Sequence, residues 1–508
     1  MIGSGLGGLV AGALLAQEGR RVLVLEKNDT FGGAVGTFQR GPLTIEGSLH
    51  ELDGLDENDP KLEIIQALGL TDALELVEVG DLYEMRSPVL GEPFTLPTGI
   101  EAAVSAATAR FPPHATGIRD YHERIVTLHD CLAIALRKQD ERLWWVMNTP
   151  RLPGILWPLA RDLRRTLGQV LHSYFGDDEA VKLALCANLQ YFTDDPDRMW
   201  FPLFAAGQAS YQIGGGHYVK GGSSRLSEHL VSLIRAAGGN AQTQRRVTRI
   251  LFDERGIAGV EHVAAAGDGA DLDGSRESAR SIFGSAAPHQ LATMLPAQRR
   301  AAFMKPYARR PVSLTLWTLA LGFDRKPSEF GVRSYSTWIF PDWMKSLDEM
   351  SQSGPLFGDA PAGRLPHFVF ADYSLIDSGL PSPPYFASVG GLDLIENWEG
   401  LDAAGEQERK ERWTDAILEV LDREFPGLAG AAVHRVLMNA RNNEKYLNTP
   451  RGAIYGFAPQ PPRMRYFTPG TPVDGLWLAS AYGGFGGYSG AILSGAAAAR
   501  AGRKTLRR

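Results

Sequence analysis

Hydrophobic residues recur along this chain in patterns that predict alternating helices and strands. Residues 9–18 are almost continuously apolar and predict a buried helix, and residues 22–25 predict a short buried strand directly after it. A helix predicted over 224–237 ends at a glycine pair, and the alternation over 247–252 predicts a strand. A charged helix is expected near 406–424. This order of elements is typical of an α/β fold.

The C-terminal region contains a long run without a charged side chain, residues 475–499. The run is long enough to span a bilayer, but the glycines between 483 and 487 interrupt it in the middle. A strand over 475–480, a glycine turn and a buried helix over 489–499 explain the pattern better. No membrane-spanning helix is therefore predicted.

Glycine and proline residues divide the chain into segments that return to one sheet several times. We expect a nucleotide-binding domain built from residues 1–80, 206–296 and 441–508. A second domain would take residues 81–205, which are mainly helical and rich in aromatic residues, and residues 297–440, which mix strands with a charged helix. The polar stretch 267–280 is expected to connect two strands as a hairpin.

Composition excludes several classes of protein. The chain has 508 residues, 44% hydrophobic and 22% charged, which is typical of two or three globular domains. A net charge of −6 gives no electrostatic basis for binding nucleic acid. Cys131 and Cys186 provide neither a disulfide framework nor a metal site, which favours a reducing, cytoplasmic location. No basic region precedes the apolar residues 2–16, so no signal peptide is expected.

The first eight residues carry a dinucleotide-binding fingerprint, G-x-G-x-x-G, formed by Gly3, Gly5 and Gly8. Gly3 permits the tight turn, Gly5 lets the backbone approach a pyrophosphate, and Gly8 allows close packing of helix on strand. The N-terminus of the following helix would face the phosphates. Glu26, at the end of the next predicted strand, is placed to accept hydrogen bonds from ribose hydroxyls.

A second glycine pair extends this fingerprint beyond what a plain NAD-binding unit needs. Only Met1 and Ile2 precede the first glycine, although the fingerprint ordinarily follows a strand of about five residues. We therefore expect either that the start of the chain is placed too late or that the first strand is shortened. A glycine-rich loop without a ligand is the other interpretation. The residues assigned to the cofactor in this region are Gly3, Gly5, Gly7, Gly8, Glu26, Lys27, Gly32 and Gly33.

Four separated patches resemble the phytoene desaturase, carotenoid isomerase and retinol saturase group of FAD-dependent oxidoreductases. They are the N-terminal fingerprint, YVKGGSSRL at 218–226 with the following strand, FGSAAPHQLATMLP at 283–296, and YLNTPRGAIYG at 446–456 with the charge-free C-terminal run. Ala286 and Ala287 stand where the family more usually has a different pair. The segment TPRGAIYG is closer to the isomerase and saturase branch than to the classical desaturases.

The resemblance implies a Rossmann-like α/β fold of the glutathione-reductase and amine-oxidase type. The FAD-binding domain would be assembled from discontinuous segments, with an inserted mixed α+β substrate domain. FAD would have a second anchor at the turn formed by Gly486, Gly487, Tyr488 and Ser489, where a helix N-terminus stabilises negative charge on the flavin. The backbone of Val247 would contact the adenine, and a simple core valine is the other interpretation.

Three residues are candidates for catalytic roles. His50 lies in the segment 44–53, where the resemblance implies a strand under the flavin, and it is either an acid or base or a structural histidine. Arg451 would pair with a cofactor phosphate or a carboxylate, with a surface salt bridge as the alternative. Tyr455 would shape the entrance to the site. Few titratable groups are required, because the flavin does the electron chemistry and the protein aligns the substrate.

The resemblance implies hydride exchange at flavin N5 with a long apolar polyene or isoprenoid, by desaturation, saturation or isomerisation. It leaves the polyene, the direction of the redox change and the electron acceptor open. One alternative is an amine-oxidase-like enzyme for a smaller substrate, with an aromatic cage from Tyr455 and Tyr482 or Tyr488. Another is a flavin-free protein of the same fold that binds prenylated partners.

Three aromatic segments bear on how such a substrate is reached. Residues 143–158, 199–204 and 335–343 would line an apolar tunnel or dip into a membrane leaflet, and ordinary core packing is the alternative. The segment 335–343 has the amphipathic, aromatic composition of an interfacial patch. A peripheral contact with a membrane is therefore one interpretation of this segment, beside ordinary core packing.

Overall fold

The computed structural model describes residues 1–48, 50–138, 141–265, 274–461 and 469–506. The helices are α1 (Leu6–Gln17), α2 (Leu62–Ala67), α3 (Leu70–Ala73), α4 (Ile100–Arg110), α5 (Ala115–Arg137), α6 (Arg142–Met147), α7 (Leu152–Asp162), α8 (Leu167–Phe175), α9 (Glu179–Cys186), α10 (Phe201–Gly214), α11 (Ser224–Ala236), α12 (Pro288–Met294), α13 (Ala297–Met304), α14 (Ala403–Glu424), α15 (Ala440–Leu447) and α16 (Gly487–Leu506). The strands are β1 (Leu23–Leu25), β2 (Thr37–Arg40), β3 (Leu43–Glu46), β4 (Leu52–Asp53), β5 (Leu76–Glu78), β6 (Tyr83–Arg86), β7 (Phe94–Leu96), β8 (Gly216–Val219), β9 (Asn240–Gln242), β10 (Arg245–Asp253), β11 (Gly256–Ala264), β12 (Ser275–Ser278), β13 (Ile282–Gly284), β14 (Thr315–Phe323), β15 (Ser336–Ile339), β16 (Phe368–Asp372), β17 (Tyr385–Asp393), β18 (Ala432–Met438) and β19 (Leu476–Leu478).

A small parallel layer forms the centre of the Rossmann-like part. Strand β1 pairs with β9, and β13 pairs with β19, both in parallel. Ile2 joins the two pairs, because it bridges Leu25 on one side and Gly284 on the other. Its N–H donates to the carbonyl of Phe283 at 2.9 Å. The layer is thus assembled from four distant parts of the sequence, with Met1 and Ile2 in the central position.

Three helices pack around this layer. Helix α1 is buried along nearly its whole length, as its apolar sequence predicts, and it packs against both α11 and α16. Glycines bring two of these backbones together: a Cβ built on Gly495 would lie 2.3 Å from the carbonyl oxygen of Gly7. A side chain at either glycine would push α1 and α16 apart.

Strands from both segments expected in the substrate domain form one mixed seven-stranded sheet. Its order is β18-β14-β17-β16-β15-β6-β7, and neighbouring strands are antiparallel except for β15 and β6. Successive residues of β15 serve two cores: Trp338 packs in the cluster formed with α5 and α10, and Ile339 in the cluster formed with α14. The sheet therefore separates a helical layer built from residues 100–214 from a second layer built around α14.

The aromatic segment 335–343 is not a surface patch, which corrects the expectation of a membrane contact there. Tyr335, Trp338 and Phe340 are buried, and β15 lies between β16 and β6. A strand buried on both faces carries a continuous apolar run, so its composition resembles that of an interfacial segment. Among the described residues, the most exposed large apolar side chains lie instead on α6 and α7: Leu143, Val146, Met147 and Trp157 are 71, 69, 72 and 66% exposed.

The other elements follow the sequence closely, with shifts at their ends. Helix α14 begins at Ala403, where Asp402 Oδ1 accepts a hydrogen bond from the N–H of Gly405 at 2.8 Å. Helix α16 is longer than expected at both ends, and β10 extends beyond 247–252 to pair with β11, which pairs with β12. Of the connection 267–280, residues 267–273 lie outside the described residues. Within the described part of the chain, no helix combines the length and the apolarity needed to cross a bilayer.

Candidate active site

A cavity of about 2080 Å³ runs from the parallel layer to helices α5 and α10. Sites for single small ligands usually measure about 300–1,000 Å³, so this cavity has room for a dinucleotide and a second molecule. Most of the residues assigned from the sequence line it. They are Gly3, Gly5, Gly7, Glu26, Lys27, Gly32, Gly33, His50, Val247, Tyr455, Gly486, Gly487, Tyr488 and Ser489.

The two N-terminal glycine pairs form one cradle at the nucleotide end of the cavity. Gly5 and Gly32 pair through a parallel bridge, and a Cβ on Gly33 would lie 3.2 Å from the Cα of Gly5. On the other side, a Cβ on Gly5 would lie 2.6 Å from Ser285 Oγ. Gly8 packs on the same serine, and a Cβ there would lie 2.8 Å from Ser285 Cβ. Backbone N–H groups can therefore approach a pyrophosphate without an intervening side chain.

Glu26 is buried and holds the shape of this cradle. Its Oε2 accepts hydrogen bonds from the N–H and the hydroxyl of Ser4, at 2.8 and 2.7 Å, and its Oε1 accepts one from the N–H of Asn28 at 2.9 Å. A carboxylate has about four acceptor positions, so Glu26 keeps capacity for a ribose hydroxyl. Lys27 donates to the carbonyl of Lys445 at 3.0 Å, and burial lowers the pKa of its ammonium group.

The second anchor lies where α16 begins. A Cβ on Gly486 would lie 2.5 Å from Tyr455 Cβ, and Gly487 has φ of +73°, which an L side chain rarely adopts. The tyrosine that follows, Tyr488, has its hydroxyl 3.0 Å from Ser48 Oγ. The backbone of this turn is thus open to the cavity, and the positive end of the helix dipole points the same way.

A buried ionic network supports this anchor, and its residues are not among those predicted from the sequence. Asp53 accepts hydrogen bonds from Ser489 and from Ser210, the latter at 2.7 Å, and it lies 3.2 Å from Lys61 Nζ. Lys61 also pairs with Asp59. Burial alone would raise the pKa of Asp53, but Lys61 and the two serines lower it below its usual value. Asp53 therefore faces the N-terminus of α16 as a carboxylate.

His50 is fixed between two hydroxyl groups from distant segments. Its Nδ1 lies 2.6 Å from the hydroxyl oxygen of Tyr191, and its Nε2 lies 2.7 Å from Ser336 Oγ. The hydroxyl of Tyr335 donates to its backbone carbonyl at 2.6 Å. Burial lowers the pKa of His50 to about 3. The imidazole is therefore neutral near pH 7 and cannot supply a proton as an imidazolium.

Tyr455 and Arg451 occupy different environments, although they are only four residues apart. Tyr455 is half-buried in the cavity wall, and loss of hydration raises the pKa of its phenol to about 12. Its N–H donates to Ser313 Oγ at 2.9 Å. Arg451 is half-exposed, forms an ion pair with Glu396 and is not among the residues that line the cavity. Its contact is thus a surface salt bridge, one of the two interpretations that the sequence left open.

Several site residues were out of reach of sequence reasoning. Tyr191 and Ser336 contact His50 from segments 141 and 286 residues away, so no local sequence pattern could have predicted these contacts. Glu51 and Asp53 did offer a local indication. They are acidic residues two positions apart beside His50, with Asp53 on β4 and Glu51 directly before that strand. In extended backbone, residues two positions apart point to the same side.

Comparisons with known proteins agree with this arrangement. Residues 6–501 match the family described as flavin containing amine oxidoreductase. All-trans-retinol 13,14-reductase of Rattus norvegicus is 24% identical, over 97% of this chain and 84% of that protein. Chloroplastic prolycopene isomerase of Daucus carota is also 24% identical, over 94% of this chain and 75% of that protein.

Solved structures show the same fold. An oxidoreductase from Methanosarcina mazei aligns with a TM-score of 0.62 and 15% identity, covering 97% of this chain and 98% of that one. Cyclohexylamine oxidase from Brevibacterium oxydans aligns with a TM-score of 0.60 and 17% identity, covering 100% and 98%. The glycine cradle, the second anchor and the cavity fit FAD, and the family match spans nearly the whole sequence. The chain therefore belongs to the family of flavin-containing amine oxidoreductases and is an FAD-dependent oxidoreductase.

Proposed function

We propose that this protein exchanges hydride between FAD and a long apolar polyene of the carotenoid or retinoid type, by saturation, desaturation or isomerisation. The observation that carries the proposal is the continuity of the cavity. From the two FAD anchors it passes His50 and continues along an apolar wall provided by α5 and α10. That wall includes Leu132, Ala133 and Leu136 of α5 and Leu203, Ala206 and Gly207 of α10. Phe192, from the segment before α10, packs on Gly207 and lines the same wall.

The relatives support this choice of substrate class. The retinol 13,14-reductase and the prolycopene isomerase are each named for a polyene, and each aligns with more than nine-tenths of this chain. An apolar wall suits such a molecule, because burial of its surface provides about 25 cal/mol per Å² without any directional contact. The binding energy would then come from length and fit rather than from polar recognition.

The protein's own groups bind, orient and exclude water in this reaction. Bound FAD supplies the hydride chemistry at N5. The glycine cradle and Glu26 would hold the dinucleotide, and the glycine turn at the N-terminus of α16 would hold its flavin half. Asp53 fixes that turn through Ser489. His50 is neutral and is hydrogen-bonded to two hydroxyl groups. It thereby fixes the part of the cavity wall that lies between the flavin anchors and the apolar region.

We further propose that the protein works in the cytoplasm and touches a membrane peripherally through α6 and α7. These helices carry the exposed Leu143, Val146, Met147 and Trp157. Exposed arginines at 151, 164 and 165 lie in the same segment and suit an anionic lipid surface. Helix α7 packs on α5, whose residues line the apolar wall, so a lipid-dissolved substrate has a short path to the cavity.

An amine-oxidase-like reaction is the second candidate. Tyr455, Tyr482 and Tyr488 line the cavity beside the glycine turn, where they can form an aromatic cage for a small amine. Peroxide formation that depends on an added amine would favour it. FAD as the cofactor leaves the flavin-free, prenyl-binding alternative without support.

The proposal is tested with the purified holoenzyme. Its flavin absorption should bleach with dithionite, and the reduced protein should be mixed anaerobically with all-trans-retinol or with prolycopene. Chromatography of the extracted polyenes should show a saturated or an isomerised product that denatured protein does not form. A reducible flavin with amine-dependent peroxide and no change in any polyene would replace this proposal with the second candidate.

A further inference from the structure

One buried acidic side chain in the cavity wall has no described role. Glu51 follows His50 and lines the cavity, and the residue is 8% exposed. Among the described residues, neither Oε1 nor Oε2 of Glu51 has a hydrogen-bond partner. An ionised carboxylate in such a place would have lost its hydration without compensation, which is costly, and a carboxyl group avoids that cost by keeping its proton.

Among the described residues, no cation lowers the pKa of Glu51. Burial is the main cause that raises its pKa, to about 8, and the negative charge of Asp53 adds to the effect. Lys61 does not compensate, because it is engaged by two aspartates. Four phenols from separate segments also interact electrostatically with Glu51: Tyr191, Tyr211, Tyr335 and Tyr373.

The fold also makes room for this carboxyl group. A Cβ built on Gly216, in the neighbouring strand β8, would lie 2.3 Å from Glu51 Oε2. The absence of a side chain at Gly216 therefore leaves a niche that the carboxyl group fills. His50 differs, because both of its ring nitrogens are already engaged and it is neutral near pH 7.

We propose that Glu51 holds the proton that this reaction exchanges and transfers it to and from the polyene, an inference that rests on the proposed function. In a reduction, one substrate carbon takes the hydride that reduced flavin supplies. The π pair of the double bond then forms a C–H bond at the neighbouring carbon with the proton of Glu51. The O–H electron pair stays on the carboxylate, which recovers a proton from water. In a desaturation, the carboxylate accepts the proton that the substrate loses.

The first test measures the proton on Glu51 without turnover. The infrared spectrum of the holoenzyme at pH 7 should contain a protonated-carboxyl band that Glu51→Gln lacks and that the control Glu78→Gln, changed at an exposed glutamate nearby, retains. Because the folded pKa lies above the unfolded one, the stability of the wild type relative to Glu51→Gln should fall as pH rises from about 4.5 to about 8. An ionised Glu51 at pH 7 overturns the proposal.

The second test measures the transfer. With flavin reduced beforehand, Glu51→Gln should react with the polyene about 10²–10⁴-fold more slowly, the usual contribution of a general acid, while its flavin content stays unchanged. Gly216→Ala, which displaces the carboxyl group but keeps it, should be slowed as well. Equal rates in the wild type and Glu51→Gln overturn the inference and leave the proposed function standing. A wild type without polyene turnover overturns the proposed function, and the infrared band still reports on Glu51 alone.

Discussion

At the scale of single residues, burial decides which groups at the cavity are charged. His50 and Glu51 are neighbours in sequence, yet burial moves their pKa values in opposite directions, to about 3 and about 8. Both shifts have one cause, since an apolar environment disfavours the charged form of either group. Two residues that would both be charged between pH 4.5 and 6.5 in water are both neutral here.

Because loss of hydration lowers the pKa of His50, this residue should make the folded protein less stable in acid. The unfolded chain takes up a proton as pH falls through about 6.5, whereas the folded His50 does so only near pH 3. Stability should therefore fall below pH 6.5, by roughly 2 kcal/mol at pH 5 for this residue alone. His50→Gln should remove that part of the pH dependence in denaturant titrations at pH 8 and pH 5.

The matched control is His172→Gln, because the His172 side chain is 67% exposed. This variant should keep the pH dependence of the wild type. An unchanged difference between pH 8 and pH 5 in His50→Gln would show that the imidazole is already charged in the folded protein.

At the scale of elements, the exposed apolar faces of α6 and α7 predict lipid binding. Burial of one large apolar side chain contributes about 1.5–3 kcal/mol, so Val146→Glu or Trp157→Glu should each weaken binding to anionic vesicles by about tenfold or more. Cosedimentation with vesicles that contain phosphatidylserine measures this. Val433→Glu, at an exposed apolar position on the edge strand β18, should bind as the wild type does. Equal binding of all variants would assign the apolar faces another role.

The sequence predicted those elements best whose environment is encoded locally. The glycine fingerprint, the strand after it and helix α11 all lie within a residue or a few of their expected bounds, because their caps, glycines and apolar periods lie in one short window. The segments 143–158 and 335–343 show the limit. Both are rich in aromatic residues, but only the tertiary structure decides that β15 is sandwiched between two strands while Trp157 faces solvent.

The site shows the same division. Gly5, Gly33 and Gly486 were predictable because a close backbone approach requires glycine and leaves a recognisable spacing. The partner of Arg451 was not predictable, because the sequence around an arginine does not show whether its side chain binds a phosphate or a nearby carboxylate such as Glu396. The hydroxyls that hold His50 come from segments whose register no local pattern fixes.

At the scale of the whole molecule, FAD should act as a structural component. The cradle and the second anchor bring together the N-terminal loop, Ser285 and the start of α16, and the cofactor would contact several of these segments at once. A ligand at 1,000 times its Kd stabilises the folded state by about 4.1 kcal/mol. Removal of FAD should therefore lower the midpoint of thermal unfolding, and added FAD should restore it.

FMN provides the control for this prediction. It carries the flavin but lacks the adenosine half that the glycine cradle would hold, so it should restore little of the lost stability. Identical unfolding of the apoprotein and the holoenzyme would mean that the segments are held together by packing alone.

The parallel layer has a consequence for how the protein is made. Ile2 pairs with β13, and β13 needs β19, which lies at residues 476–478. At about 5–20 residues per second, a ribosome needs roughly 25–95 s to reach that strand after it has made the first glycine loop. During that time the apolar helix α1 lacks the helix α16 on which it packs in the folded protein. The nascent chain should therefore depend on chaperones, and its N-terminal half cannot bind the cofactor until the last helix has left the ribosome.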